Sequence, residues 1–104
     1  MTDSLQALAQ DLEDFAEARH WKPFHSPKNL ASALTVESAE LLEHFQWLTE
    51  AQSHQLAPDQ LDAVALEMAD VLLYLVQLAS VLKVDLLDAA RRKMALNEVR
   101  FPPK

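Results

Sequence analysis

The sequence predicts an all-α fold, a four-helix bundle, on three observations. The 104 residues include no glycine, whereas sheets joined by tight primed turns and glycine-rich phosphate cradles both depend on that residue at positive φ. Apolar residues recur at spacings of three and four along most of the chain, the helical period. The five prolines stand at the edges of those periodic segments, where a missing amide donor ends or opens a helix. Short connections then make successive helices antiparallel, the second lying beside the third.

The first helix is expected from about Ser4 to His20, with Leu5, Leu8, Leu12 and Phe15 on one side and acids on the other. WKPFHSPKN breaks it, because Pro23 and Pro27 bias the residues before them away from helix. Ser26 caps a second helix with Pro27 at its first position, running through about Thr49. The polar stretch around SHQLAP closes it. Pro58 opens the third, which continues from Asp59 through VALEMADVLLYLVQLASVL; its second half is apolar almost all round, which predicts burial on several sides. Asp85 caps a fourth helix through about Val99, and FPP ends it. No repeat, low-complexity tract or linker interrupts the chain, so residues 1–104 read as a single domain.

Composition narrows the function. Sixteen acidic and nine basic residues leave a formal charge of -7, with no surplus positive field to grip a nucleic acid polymer. Half of the residues are apolar, but a domain near this length buries only about two-thirds of its unfolded surface, so a homo-oligomer is expected. Cysteine is absent, which excludes disulfides and thiolate metal sites and suits a reducing cytosol. The segment MTDSLQALAQDLED carries acids where a signal peptide needs a basic start, and no apolar run is read as reaching the ~20 residues of a membrane span. The expectation is a soluble cytoplasmic protein with no membrane partner.

The chemistry lies in the acids. Glu37 and Glu40, in ESAELLEH, are three residues apart, so their side chains leave one helix face about 60° apart with Cβ atoms ~5–6 Å from each other. Glu67 and Asp70 repeat the spacing inside LEMADVLLYL. Exposed like charges at this spacing cost tenths of a kcal/mol, but carboxylates withdrawn from water cost many times more unless a cation compensates. Four carboxylates from neighbouring helices therefore point to a hard divalent cation, Mg²⁺ before Mn²⁺, and two such ions ~3.5–4 Å apart would make a phosphoryl-transfer clamp. No histidine stands three residues beyond Glu40 or Glu67, against a di-iron site. His44 fits an outer or surface role better than a ligand's, and Glu43, at the edge of the face, is open between ligand, water orienter and exposed group.

ESAE, then 26 intervening residues, then EMAD resembles the ExxE…ExxD signature of the MazG-like all-α nucleoside triphosphate pyrophosphohydrolases. WKPFHSPKNLASALTVESAELLEHFQWLTE, EMADVLLYLVQLA and KMALNEVRFP are similar to the dCTP pyrophosphatase branch. The resemblance implies Mg²⁺-dependent hydrolysis of a (deoxy)nucleoside triphosphate to the monophosphate and pyrophosphate, in a helical homodimer or dimer of dimers. It implies Glu37, Glu40, Glu67 and Asp70 as metal ligands. Two positions depart from many relatives: Leu66 replaces an acid and Leu48 a lysine.

A triphosphate brings about four negative charges to an acidic chain, so cations must neutralise most of them. Lys93, Asn97 and Arg100 form a stripe that would hold the β and γ phosphates while water attacks the α phosphorus, with Glu40 the first choice of base and Glu37 the second. On the residues alone Lys93 and Arg100 are better read as cations favouring the macrodipole of a helix C-terminus, and it is the resemblance that implies the phosphate role. Trp47, two turns from Glu40 at nearly the same azimuth, offers a stacking plane for the base. Trp21, Phe24 and His25 would close over the ring; Trp21 and Phe24 serve equally as core staples, while His25 is the candidate to touch base or phosphate. Asn29 is placed to meet sugar or phosphate, and Tyr74, one turn beyond Asp70, either packs against the sugar or fills the core. Two alternatives remain: phosphoribosyl-ATP pyrophosphohydrolysis with the same metals, and a bundle in which the acids bind a cation only to hold helices together.

Overall fold

The computed structural model describes residues 4–104. Asp3, one of the acids in the N-terminal expectation, lies outside them. Five α-helices and one 3₁₀ turn follow in order: α1 Leu5–Ala18, the turn Lys22–Phe24, α2 Pro27–Glu43, α3 Glu50–Ser53, α4 Pro58–Leu82 and α5 Leu86–Arg100. No strand occurs among the described residues, as the missing glycine predicts.

Local chemistry sets the helix starts. Ser4 Oγ accepts from the Ala7 amide at 3.0 Å, Ser26 Oγ from Asn29 at 3.1 Å and an Asp85 carboxylate oxygen from Asp88 at 3.0 Å. Each satisfies one of the orphan amides of a first turn. Pro27 and Pro58 open their helices where no donor is needed. At the other ends, the glycine-free chain closes α1 and α4 with His20 and Lys83 in left-handed backbone, at φ 58° and 57°. Trp21 N–H then reaches Ala16 O at 2.9 Å and Val84 N–H reaches Ala79 O at 2.8 Å, the six-to-one bond of a Schellman end.

The second helix stops earlier than its period predicts, at Glu43 rather than Thr49. Thr49 takes extended backbone and caps α3, accepting from the Gln52 amide at 3.1 Å while the Gln52 side chain accepts from Thr49 N–H at 2.9 Å. This reciprocal capping box needs a non-helical Thr49, so residues 44–48 fold instead as tight turns.

α4 is the hub, packed along α2 and more briefly against α1. Short connections set α2 and α4 antiparallel, and their packing brings Glu37 of α2 together with Glu67 and Asp70 of α4. Ala16, Leu30, Val64, Val76 and Ala79 are buried between these helices. Leu30 is 1% exposed, so truncating it to alanine should cost about 2–5 kcal/mol.

Burial of α4 on several sides is not met within one chain. Leu61, Leu66, Met68 and Leu72 are exposed, as are Leu87, Met94, Leu96 and Val99 on α5. The radius of gyration is 16.6 Å, against about 13 Å for a compact domain of this length. By length and composition α4 is also apolar enough to cross a membrane, contrary to the expectation that no run reaches that length. Its Glu67 and Asp70 face acids of α2, as befits the central helix of a bundle.

Candidate active site

The antiparallel pairing of α2 and α4 turns both acidic pairs toward one volume. One carboxylate oxygen from each of Glu37, Glu67 and Asp70 lies within 4.8 Å of the others. All three residues are half-buried, and Glu37 Oε2 and Glu67 Oε2 are shut off from solvent without a hydrogen-bond partner. Glu40, also half-buried, stands beside them and acts on both Glu37 and Glu67.

Crowding of like charge shows in the proton affinities. Glu37 is raised from 4.5 to about 7, chiefly by a hydrogen bond its protonated form makes with Glu40, then by desolvation and by the charges of Glu40, Asp70 and Glu67. Glu67 is also raised, first by desolvation and then by Glu40 and Asp70, with His44 opposing. Packing four acids this way disfavours their ionised forms unless a cation is shared. Oxygen-only donors with two orphaned atoms fit a hard divalent ion, so the residues present suit Mg²⁺ or Mn²⁺. His44, at the end of α2, is a neighbour of Glu67; Glu43 is exposed.

A cavity of about 160 Å³ reaches Asp70 and is lined by it with Tyr74, Trp21 and His25 together with Leu12, Phe15, Ala16, Leu73 and Gln77. Three of the five residues expected to meet base or sugar are thus gathered beside one of the acids. The loop that brings Trp21 and His25 is held from both sides. Lys22 Nζ meets Glu13 at 3.2 Å and Glu17 at 3.7 Å, and Asn29 Nδ2 donates to Phe24 O at 2.9 Å. Phe15 and Trp21 pack edge to face at 5.6 Å between centroids, and Trp21 continues to His25 at 6.3 Å. Asn29 is exposed and committed to the loop, so it braces this wall instead of lining the cavity. Phe24 points outward, 69% exposed.

Trp47 does not extend the acidic face, because the helix that would have carried it two turns past Glu40 ends at Glu43. It stands 87% exposed on the turn before α3, outside the cavity that holds Trp21. Lys93, Asn97 and Arg100 do share one helix, α5. That helix stands apart from the α2–α4 pair, Lys93 and Arg100 are exposed, and none of the three lines the cavity beside Asp70. Gln77, absent from the sequence expectations, does line it. Its signal was present, a lone amide seven residues beyond Asp70 in an apolar run, but amides in helices are common enough to carry no message alone.

The model of the MazG-like family matches residues 33–102. The chain is 43% identical over 91 residues to dCTP pyrophosphatase 1 of Homo sapiens, covering 86% of this chain and 54% of that one. It is 44% identical to the Rattus norvegicus protein of the same name over the same shares, so it spans about half the length of these curated relatives. A crystal structure of a pyrophosphatase from Archaeoglobus fulgidus DSM 4304 superposes with a TM-score of 0.91 at 36% identity, over 99% of this chain and 96% of that one.

Proposed function

The chain belongs to the MazG-like family, and from that premise we propose that it is a nucleotide pyrophosphohydrolase. Its substrate would be a (deoxy)nucleoside triphosphate, dCTP or a modified dCTP-like nucleotide, cleaved to the monophosphate and pyrophosphate with Mg²⁺, or Mn²⁺ in its place. The observation that carries this reading is the convergence of Glu37, Glu67 and Asp70 within 4.8 Å, with two carboxylate oxygens left unpartnered. The names of the human, rat and archaeal relatives support the reaction.

Glu37, Glu67 and Asp70 would hold the cation, with Glu40 as fourth ligand or general base. A bound divalent cation supplies charge neutralisation at the phosphates and makes a water more acidic. Glu40 lies against Glu37 and Glu67, a position from which it can take a proton from the attacking water while its neighbours stay committed to the cation. Trp21, His25 and Tyr74 flank the cavity beside Asp70; they would stack against and orient base and sugar, excluding water from that side. Lys93, Asn97 and Arg100 would neutralise the leaving pyrophosphate.

The protein would act as a homodimer or homotetramer. The exposed apolar faces of α4 and α5 and the large radius of gyration leave surface that a second copy can cover. A partner's α5 laid over α2 and α4 would also bring the basic stripe toward the acids.

Incubating the full chain with Mg²⁺ and a panel of triphosphates, followed by phosphorus NMR, tests the reaction. Equal amounts of monophosphate and pyrophosphate are expected. Orthophosphate as the first product, or no cleavage of any member, would reject the assignment.

A further inference from the structure

Gln77 occupies a junction. The cavity beside Asp70 shares the walls Leu12, Ala16, His25 and Gln77 with a second cavity of about 270 Å³ that continues toward Ser80 and Val81. Along α4, Gln77 lies seven residues past Asp70, about 20° from its azimuth and ~10.5 Å further along the axis. A nucleotide whose phosphates lie at the acids and whose sugar passes Tyr74 would therefore present the far edge of its base to Gln77.

One hydrogen bond holds the amide. Gln77 Nε2 donates to Leu73 O at 3.2 Å, partly buried. Within α4, Leu73 O already accepts from the Gln77 backbone amide, so the helix does not need the side-chain bond. What the bond does is point the other atom, Oε1, away from Leu73. Oε1 has no donor among the described hydrogen bonds of this segment, and an amide oxygen carries two acceptor lone pairs.

We propose that Gln77 is a specificity-determining residue whose Oε1 accepts a hydrogen bond from the exocyclic amine of a cytosine or adenine base and disfavours bases with a carbonyl there. The chemistry is one-sided. An amino group donates to an amide oxygen, whereas a carbonyl set against that oxygen would face it lone pair to lone pair. Discrimination between bases by a well-placed polar contact is worth about 1–3 kcal/mol, roughly 5- to 150-fold. The inference rests on the proposed pyrophosphohydrolase reading and adds to it the residue that would set base preference.

The test compares dCTP with dUTP, which differ in the exocyclic group and in the proton on the neighbouring ring nitrogen, using wild type, Gln77→Leu and Gln77→Ala. Wild type should favour dCTP by at least fivefold in kcat/KM, and both variants should bring the ratio within about threefold of unity. A variant ratio equal to that of wild type, or a wild type indifferent to the two, overturns the role of Gln77 and leaves the hydrolase standing. Failure of wild type to release pyrophosphate from either nucleotide overturns both. In wild type alone, the Gln77 side-chain amide resonances should shift with dCMP and stay in place with dUMP; equal shifts would contradict the proposal even if the variants do not fold.

Discussion

Glu37 and Glu67 come from different helices, yet each keeps one oxygen, Oε2, buried without a hydrogen-bond partner among the described residues. With Asp70 they form an oxygen cluster 4.8 Å across at most. An arrangement that is costly for an isolated bundle becomes favourable once a shared cation enters.

Stability should therefore depend on pH and cation together. Between 4.5 and about 7 the folded protein keeps a proton on Glu37 that the unfolded chain has released. Bound protons in excess in the folded state mean that this group's contribution falls as pH rises through that window. Cation-free protein should thus lose melting temperature from pH 5 to pH 8, and Mg²⁺ should raise it more at pH 8 than at pH 5. Equal Mg²⁺ shifts at the two pH values would argue against this site.

Glu40→Gln keeps the shape of the site and removes the proposed base. Turnover should fall roughly 10²- to 10⁴-fold, with the Mg²⁺-induced rise in melting temperature largely retained. Unchanged turnover would move the base elsewhere.

Trp21 forms one wall of the cavity and is held by Phe15 and His25. Trp21→Ala should weaken nucleotide binding by about 1–3 kcal/mol, the usual worth of a stacked base, seen as a higher KM with little change in Mg²⁺ affinity. An unaltered KM would make Trp21 a core staple only.

Leu61, Met68 and Leu72 lie on one stripe of α4 and are exposed. Replacing Met68 and Leu72 by glutamate should convert a dimer or tetramer to monomers in sedimentation velocity. A wild type that already sediments as a monomer would refute the proposed assembly.

Lys83 holds a left-handed φ of 57°, costing about 1–2 kcal/mol that glycine avoids, less ~0.5–1 kcal/mol for glycine's freer unfolded chain. Lys83→Gly should stabilise by up to ~1.5 kcal/mol, a rise of about 4–8 °C in Tm per kcal/mol, without affecting turnover.

Helix starts were legible because Ser26, Pro27, Pro58 and Asp85 act locally, through hydrogen bonds three residues away or a fixed φ. The acidic pairs were legible for a similar reason, as spacing on a helix determines direction. What escaped depended on competition or on distance. Thr49 had to be weighed as cap against helix interior, and choosing the cap detached Trp47 from the face of Glu40. That α5 stands off, taking Lys93, Asn97 and Arg100 with it, follows from packing that no local pattern encodes. Without glycine to mark them, the left-handed ends at His20 and Lys83 were equally silent.

Calorimetric titration of Mn²⁺ into the full chain, at pH 6 and pH 8.5 in buffers of different ionisation enthalpy, probes the acid cluster itself. Binding should release a proton at pH 6, displaced from Glu37, and none at pH 8.5, and it should disappear in Glu37→Gln/Glu67→Gln. Binding that survives both substitutions, or proton release equal at the two pH values, would show that the cation is held somewhere else.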